Sequence, residues 1–145
     1  MGASGRSGWH HPVRVEGTLR TLAGVEEAWE AYRSGPLPIG AVVTDAHGNV
    51  LSRGRNRIHE RSGPSGAVFD HKLAHAELNA LLSLDHREYD PHACVLWTTT
   101  EPCPLCVGAA RMSEVSGLRY AAREPWGDPR PCSRPCPTYG ERTST

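Results

Sequence analysis

Lysine is almost missing from this 145-residue chain: of its 16 basic residues, only Lys72 is a lysine. The arginine preference, with abundant Gly, Pro and Ala, reflects a GC-rich coding bias rather than chemistry. A surplus of charge is also missing. The 16 basic residues meet 16 acidic ones, for a formal net charge of +0. Proteins held to nucleic acid through phosphates carry a basic surplus, so only a local patch could serve that purpose here. No apolar run approaches the ~20 residues of a membrane-spanning helix. Met1 to Pro12 is Gly, Ser and His without an apolar stretch, which excludes a secretory signal; residues 1–17 read as a disordered leader. Cysteine is sparse and odd in number, with five residues. That count, with no export signal, argues against a disulfide framework and for a reducing cytoplasm. No internal repeat is visible. What remains is an ordinary soluble composition, 38% hydrophobic and 22% charged, with length for one domain and one core.

Thr18 to Tyr32 spaces Leu19, Leu22, Val25, Ala28, Trp29 and Tyr32 as the apolar face of an amphipathic helix, stopped by Ser34-Gly35-Pro36. Ile39 to Thr44 is a β-branched run and predicts a strand. The turn chemistry of Asp45 to Asn49 joins it to a second arm, Val50 to Arg57. Ile58 to Lys72 holds Gly63, Pro64, Ser65 and Gly66 and reads as a loop. Leu73 to Leu84 predicts a helix, Cys94 to Thr98 a buried strand, Pro104 to Met112 a helix with proline in its first turn, and Leu118 to Ala122 a weaker strand. The closing strand–helix–strand unit favours a parallel crossover, so the expected architecture is a mixed sheet flanked by helices over residues 18–123. Residues 124–145 carry five prolines between Pro125 and Pro137 and read as an irregular tail.

Two strings carry chemistry: His75-Ala76-Glu77 and Pro102-Cys103-Pro104-Leu105-Cys106. Cys103 and Cys106 are three apart at a helix start, so both sulfurs can face one point. The helix N-terminus favours their thiolate forms. With the His75 imidazole they make a zinc donor set that leaves a fourth position open for water, which zinc activates near neutral pH. Glu77, two residues beyond a donor, is placed to shuttle protons between that water, a ring nitrogen and a leaving amine. His-x-Glu followed by Pro-Cys-x-x-Cys is a signature of zinc deaminases.

These residues resemble the cytidine deaminase-like superfamily, and within it the branch of tRNA adenosine, guanine and other small nucleoside deaminases. Thr99-Thr100-Glu101-Pro102-Cys103-Pro104-Leu105-Cys106-Val107-Gly108-Ala109 is similar to that branch's Glu-Pro-Cys-x-x-Cys-x-Gly-Ala run. Leu37 to Val43 resembles its first core strand, and Gly54-Arg55-Asn56-Arg57 its hairpin end. The resemblance runs from about Leu19 to Arg123. It implies a three-layer αβα fold with a mixed central sheet; zinc held by His75, Cys103 and Cys106; Glu77 as general acid/base; Asn56 and the backbone of Ala76 as substrate contacts; and a homodimer or larger assembly. Two departures stand out. Eighteen residues separate Asn56 from His75, more than tRNA-editing relatives carry. The family normally continues with further elements after the Arg123 position, and here that part reads as truncated or divergent.

Blander readings compete for several residues. The donor set could be a closed structural zinc site, against which Glu77 speaks. Asn56 could be a turn asparagine. Arg53, Arg55 and Arg57 alternate and read as a solvated charge row, with a phosphate patch as the sharper reading. His71 reads as loop surface, Cys94 and Trp97 as core, Trp126 as tail packing, and Cys132 and Cys136 as tail cysteines rather than a second metal site. The neutral charge favours a free base or nucleoside as substrate over tRNA or other nucleic acid. A catalytically silent zinc-binding module is the third option.

Overall fold

A computed structural model describes residues 19–35 and 37–123. The expected leader and tail, with Trp126, Cys132 and Cys136, lie outside the described residues. Helix α1 (Leu19–Ser34) precedes a hairpin of β1 (Gly40–Thr44) and β2 (Val50–Arg55). Helix α2 (Ala76–Leu82), strand β3 (Val95–Thr100), helix α3 (Pro104–Met112) and strand β4 (Gly117–Ala122) follow. The strands form one four-stranded sheet in the order β2-β1-β3-β4. β1 is antiparallel to both β2 and β3, while β3 and β4 are parallel across α3. The expected mixed sheet and parallel closing unit are therefore present. No described helix is long and apolar enough to cross a membrane.

The hairpin turn is built by Asp45, whose carboxylate accepts from the backbone N–H of His47 and of Asn49 and from the Asn49 side chain. β1 is buried along its whole length, as expected for a central strand covered on both faces. The core joins Ala41 and Val43 of β1, Ala76, Ala80 and Leu81 of α2, Leu96 of β3, Ala110 of α3, and Leu118 and Tyr120 of β4. Cys94 belongs to it as expected, whereas Trp97 is only half-buried.

Two glycines set the spacing between sheet and helices. A Cβ at Gly40 would lie 2.2 Å from the Gly24 carbonyl oxygen and 2.5 Å from the Ala28 nitrogen, so β1 meets the α1 backbone directly. A Cβ at Gly54 would lie 2.2 Å from the Ala80 nitrogen and 2.3 Å from the Ala76 oxygen, so β2 meets α2 in the same way.

The close approach at Gly40 corrects the expected face of α1. The helix buries Ala23, Ala28 and Ala31, whereas Leu22, Val25, Trp29 and Tyr32 are each more than half exposed. A helix in backbone contact with a strand must present its smallest side chains there. That rotates the large apolar stripe away from the sheet, where Trp29 and Tyr32 pack their rings on each other. The second correction concerns α2. It begins at Ala76 rather than Leu73, because Ala74 and His75 close tight turns onto His71 and Leu73 and His75 keeps extended dihedrals as the N-cap. Leu73 is left largely exposed ahead of the helix.

Candidate metal and catalytic site

The site forms where α2 and α3 begin. His75 caps α2, with Ala76 and Glu77 in its first turn. Cys103 caps α3, Pro104 occupies the next position, where no N–H is required, and Cys106 lies one turn in. The His75 Nδ1 is 3.5 Å from the Cys103 Sγ and 3.4 Å from the Cys106 Sγ, and the two sulfurs are 3.5 Å apart. Zn–S bonds of about 2.3 Å and Zn–N bonds of about 2.0–2.1 Å at tetrahedral angles separate donors by about 3.5–3.8 Å. The triangle therefore has the size and the chemistry of a zinc donor set. Among the described residues these three are brought together as a group able to hold a metal ion.

Electrostatics supports the same fit. Burial first, and then the neighbouring Glu77 and Cys103, push the Cys106 thiol far above its ordinary range. A buried carboxylate against a buried thiol, beside the partly exposed His75 and Cys103, is costly unless a positive charge offsets it.

Glu77 is buried and both its oxygens are engaged. Oε2 lies 3.3 Å from the Cys106 Sγ, and Oε1 accepts a 3.0 Å hydrogen bond from the Thr98 hydroxyl on β3. Sequence reasoning missed Thr98. Its signal was a threonine on the core-facing side of a strand otherwise expected to be apolar. Asn79, buried with its amide bonded to the loop before α2, was missed as well.

Of the two substrate candidates, Ala76 lies between His75 and Glu77 in the first turn of α2, and Asn56 directly follows β2. The Asn56 side-chain oxygen accepts from the Ile58 N–H at 3.2 Å, and the residue borders a shallow surface hollow with Ala31, Ser34, Leu37, His59 and Glu60. Ala76 is fully buried, its carbonyl turned toward Gly54. His71 is exposed, its ring accepting from the Leu73 N–H. The arginine row is not free: Arg53 pairs with Glu26 at 2.8 Å, Arg55 with Glu60 at 2.7 Å, and Arg57 with Glu60. The bond to Glu60 also holds the Arg55 guanidinium above its ordinary pKa.

Residues 20–122 match the cytidine and deoxycytidylate deaminase zinc-binding region. The chain belongs to the cytidine deaminase-like superfamily. Zn2+ is the metal of this superfamily domain, and the His75–Cys103–Cys106 group offers donors suited to it. Across 100 residues the chain is 35% identical to tRNA(Ile)-lysidine synthase of Deinococcus radiodurans, a match covering 68% of this chain and 16% of that protein. It is 32% identical to the tRNA-specific adenosine deaminase of Bacillus subtilis, over 71% of this chain and 60% of the relative. The solved structure of guanine deaminase from Bacillus subtilis superimposes with a TM-score of 0.59 at 28% identity, covering 73% of this chain and 65% of that one. The chain thus spans a minor part of the synthase and under two thirds of these deaminases.

Proposed function

We propose that this deaminase-family protein hydrolyses an exocyclic amino group from a free nucleobase, nucleoside or similar heterocycle, releasing ammonia. His75, Cys103 and Cys106 would hold Zn2+, which supplies a Lewis acid that makes water nucleophilic near neutral pH. Glu77 moves the protons. Thr98 occupies Oε1, so Oε2, facing the donor cluster, is the oxygen that carries them. It accepts one proton from the water and delivers it to the ring nitrogen. It accepts the second from the same oxygen and delivers it to the amine. The carbon–nitrogen bond then breaks, ammonia departs and a carbonyl remains. Asn56 is assigned to hydrogen-bond the ring, and the Ala76 backbone to line its edge.

The observation that carries this reading is the buried Glu77 carboxylate, set against the donor cluster and tethered from β3. A closed structural zinc site has no use for a fourth, acidic neighbour, and a silent module has none for its tether. A small substrate is preferred over tRNA because Arg53, Arg55 and Arg57 are already paired with glutamates and the net charge is +0. The likeness to a tRNA-specific adenosine deaminase favours the second reading, editing of a structured RNA. Mass spectrometry decides between them, by following the one-dalton gain of amine-to-carbonyl exchange on free bases, nucleosides and an anticodon stem-loop at two salt concentrations. Turnover confined to the stem-loop and lost with salt would replace the small-molecule reading.

A further inference from the structure

The residues between Asn56 and His75 start at one candidate site residue and end at another, so their conformation bears on where both are held. They are a built loop. The Arg57 N–H donates to the Ala74 carbonyl at 2.9 Å, closing the two feet on each other, and the Asp70 N–H returns to the Arg57 carbonyl at 3.1 Å. Glu60 bridges Arg55 and Arg57 across the first foot. Farther out the loop has little to hold it. Residues 61–66 are exposed, and Phe69 leans on Gly63.

One side chain reaches this outer part from the helix that carries Glu77. The Asn79 Oδ1 accepts from the Val68 N–H at 2.8 Å, and its Nδ2 donates to the Val68 carbonyl at 3.0 Å and to the Arg55 carbonyl at 3.2 Å. The amide pairs with Val68 as a neighbouring strand would, and it also grips the residue before Asn56. Asn79 is 2% exposed, so these bonds form away from competing water. Among the twenty side chains, the carboxamides of Asn and Gln alone offer a donor and an acceptor in this peptide-like arrangement.

We propose that Asn79 is the positioning residue for the substrate pocket of the deaminase reading above. By clipping Val68 and the Arg55 carbonyl to α2, it holds loop residues 57–74 and Asn56 in one arrangement, and so sets which ring the pocket accepts. Its side chain is bonded to Val68 and the Arg55 carbonyl, not to His75, Cys103, Cys106 or Glu77. Its loss therefore weakens substrate capture and selection rather than chemistry at saturation.

The test uses Asn79→Asp, which keeps the acceptor and removes both donated bonds, and Val68→Pro, which deletes one bond from the loop side and leaves α2 intact. Kinetics on the base and nucleoside panel are run beside limited trypsin digestion, which reads cleavage after Arg61 and Lys72. Both variants should raise KM by about tenfold or more, keep kcat within about threefold and flatten the preference among substrates. They should also be cut in the loop at least about tenfold faster, with zinc content unchanged. If Asn79→Asp does not fold, Val68→Pro carries the same expectations. Unchanged loop cleavage, or a lowered melting temperature with KM and substrate preference intact, overturns the proposal. A wild-type protein that deaminates nothing on the panel refutes the small-molecule reading instead. The digestion then decides by itself whether Asn79 holds the loop.

Discussion

Adding one methyl group at Gly54 should disable the site without touching a functional side chain. The new Cβ would stand 2.2 Å from the Ala80 nitrogen, 2.3 Å from the Ala76 oxygen and 2.7 Å from the Asn79 carbonyl carbon. Ordinary contact begins near about 3.5 Å. All three neighbours are backbone, so no rotamer change relieves the overlap and α2 must retreat by about 1 Å. Overpacking of this kind costs about 1–3 kcal/mol, or roughly 4–20 °C in melting temperature for a domain near 100 residues. The same retreat carries His75 and Glu77 away from Cys103 and Cys106. Misplacement of about 1 Å is enough to lower turnover by ~10², a larger loss than the stability change implies. Gly108→Ala is the control, since its Cβ meets nothing within 4 Å and it sits inside α3. That change should stabilise by about 0.5–1 kcal/mol through helix propensity. Differential scanning calorimetry, zinc analysis and turnover of the two variants make the comparison. A Gly54→Ala protein with wild-type melting and activity would refute the claim that backbone contact positions α2.

Glu77→Gln should retain zinc and fold while turnover falls by ~10²–10⁴ or more; an active variant removes Glu77 from the mechanism. Thr98→Val deletes the bond to the Glu77 Oε1, and a hydrogen bond to a charged group is worth about 1.5–3 kcal/mol. Its kcat should drop about tenfold or more with KM unchanged, and Thr98→Ser should restore most of it. Removing zinc with a chelator should lower the melting temperature in a manner reversed by added Zn2+, because a ligand bound only to the folded state stabilises it; a melting temperature indifferent to both would refute the donor assignment. The bonds from Asn49 hold the Asp45 carboxyl below the ordinary aspartate pKa. A depressed folded pKa means the turn's contribution is present above the unfolded value of about 3.9 and is lost as pH falls through the folded one. An NMR titration of Asp45 should therefore show its midpoint below 3.9, and a midpoint at or above that value would contradict the turn geometry.

The candidate metal donors stood out in the sequence because their chemistry is local. A cysteine pair three apart at a helix start, with His75 and Glu77 on a second start, leaves few alternatives to a metal site. The element order was legible too, since β-branched runs and turn residues alternate cleanly. The face of α1 was not. Periodicity weights Leu22, Trp29 and Tyr32 above Ala28 and Ala31, yet the requirement that won is close backbone approach at Gly40. The small residues at 24, 28 and 31, spaced for one helix face, were the signal that could have shown it. Thr98 and Asn79 were hidden for another reason. Each acts across 11 or more residues of sequence, on partners that only the folded sheet brings near. Asn56 directly follows β2, and the Ile58 N–H occupies its side-chain oxygen.

Gly40 and Gly54 occupy adjacent positions on neighbouring strands, since Gly40 registers with Arg55 and Gly54 with Ala41. One admits α1 and the other admits α2, so the layers meet through main chain at that spot. Main-chain dimensions are the same in every protein. The offset between the hairpin and the helix bearing His75 and Glu77 is therefore fixed by a mechanical stop made of atoms that mutation elsewhere does not resize. Side-chain volumes in the surrounding core can drift over generations while the stop keeps the donors in register. A fold with such a datum can tolerate wide sequence divergence and still present the same three donors at the same separation.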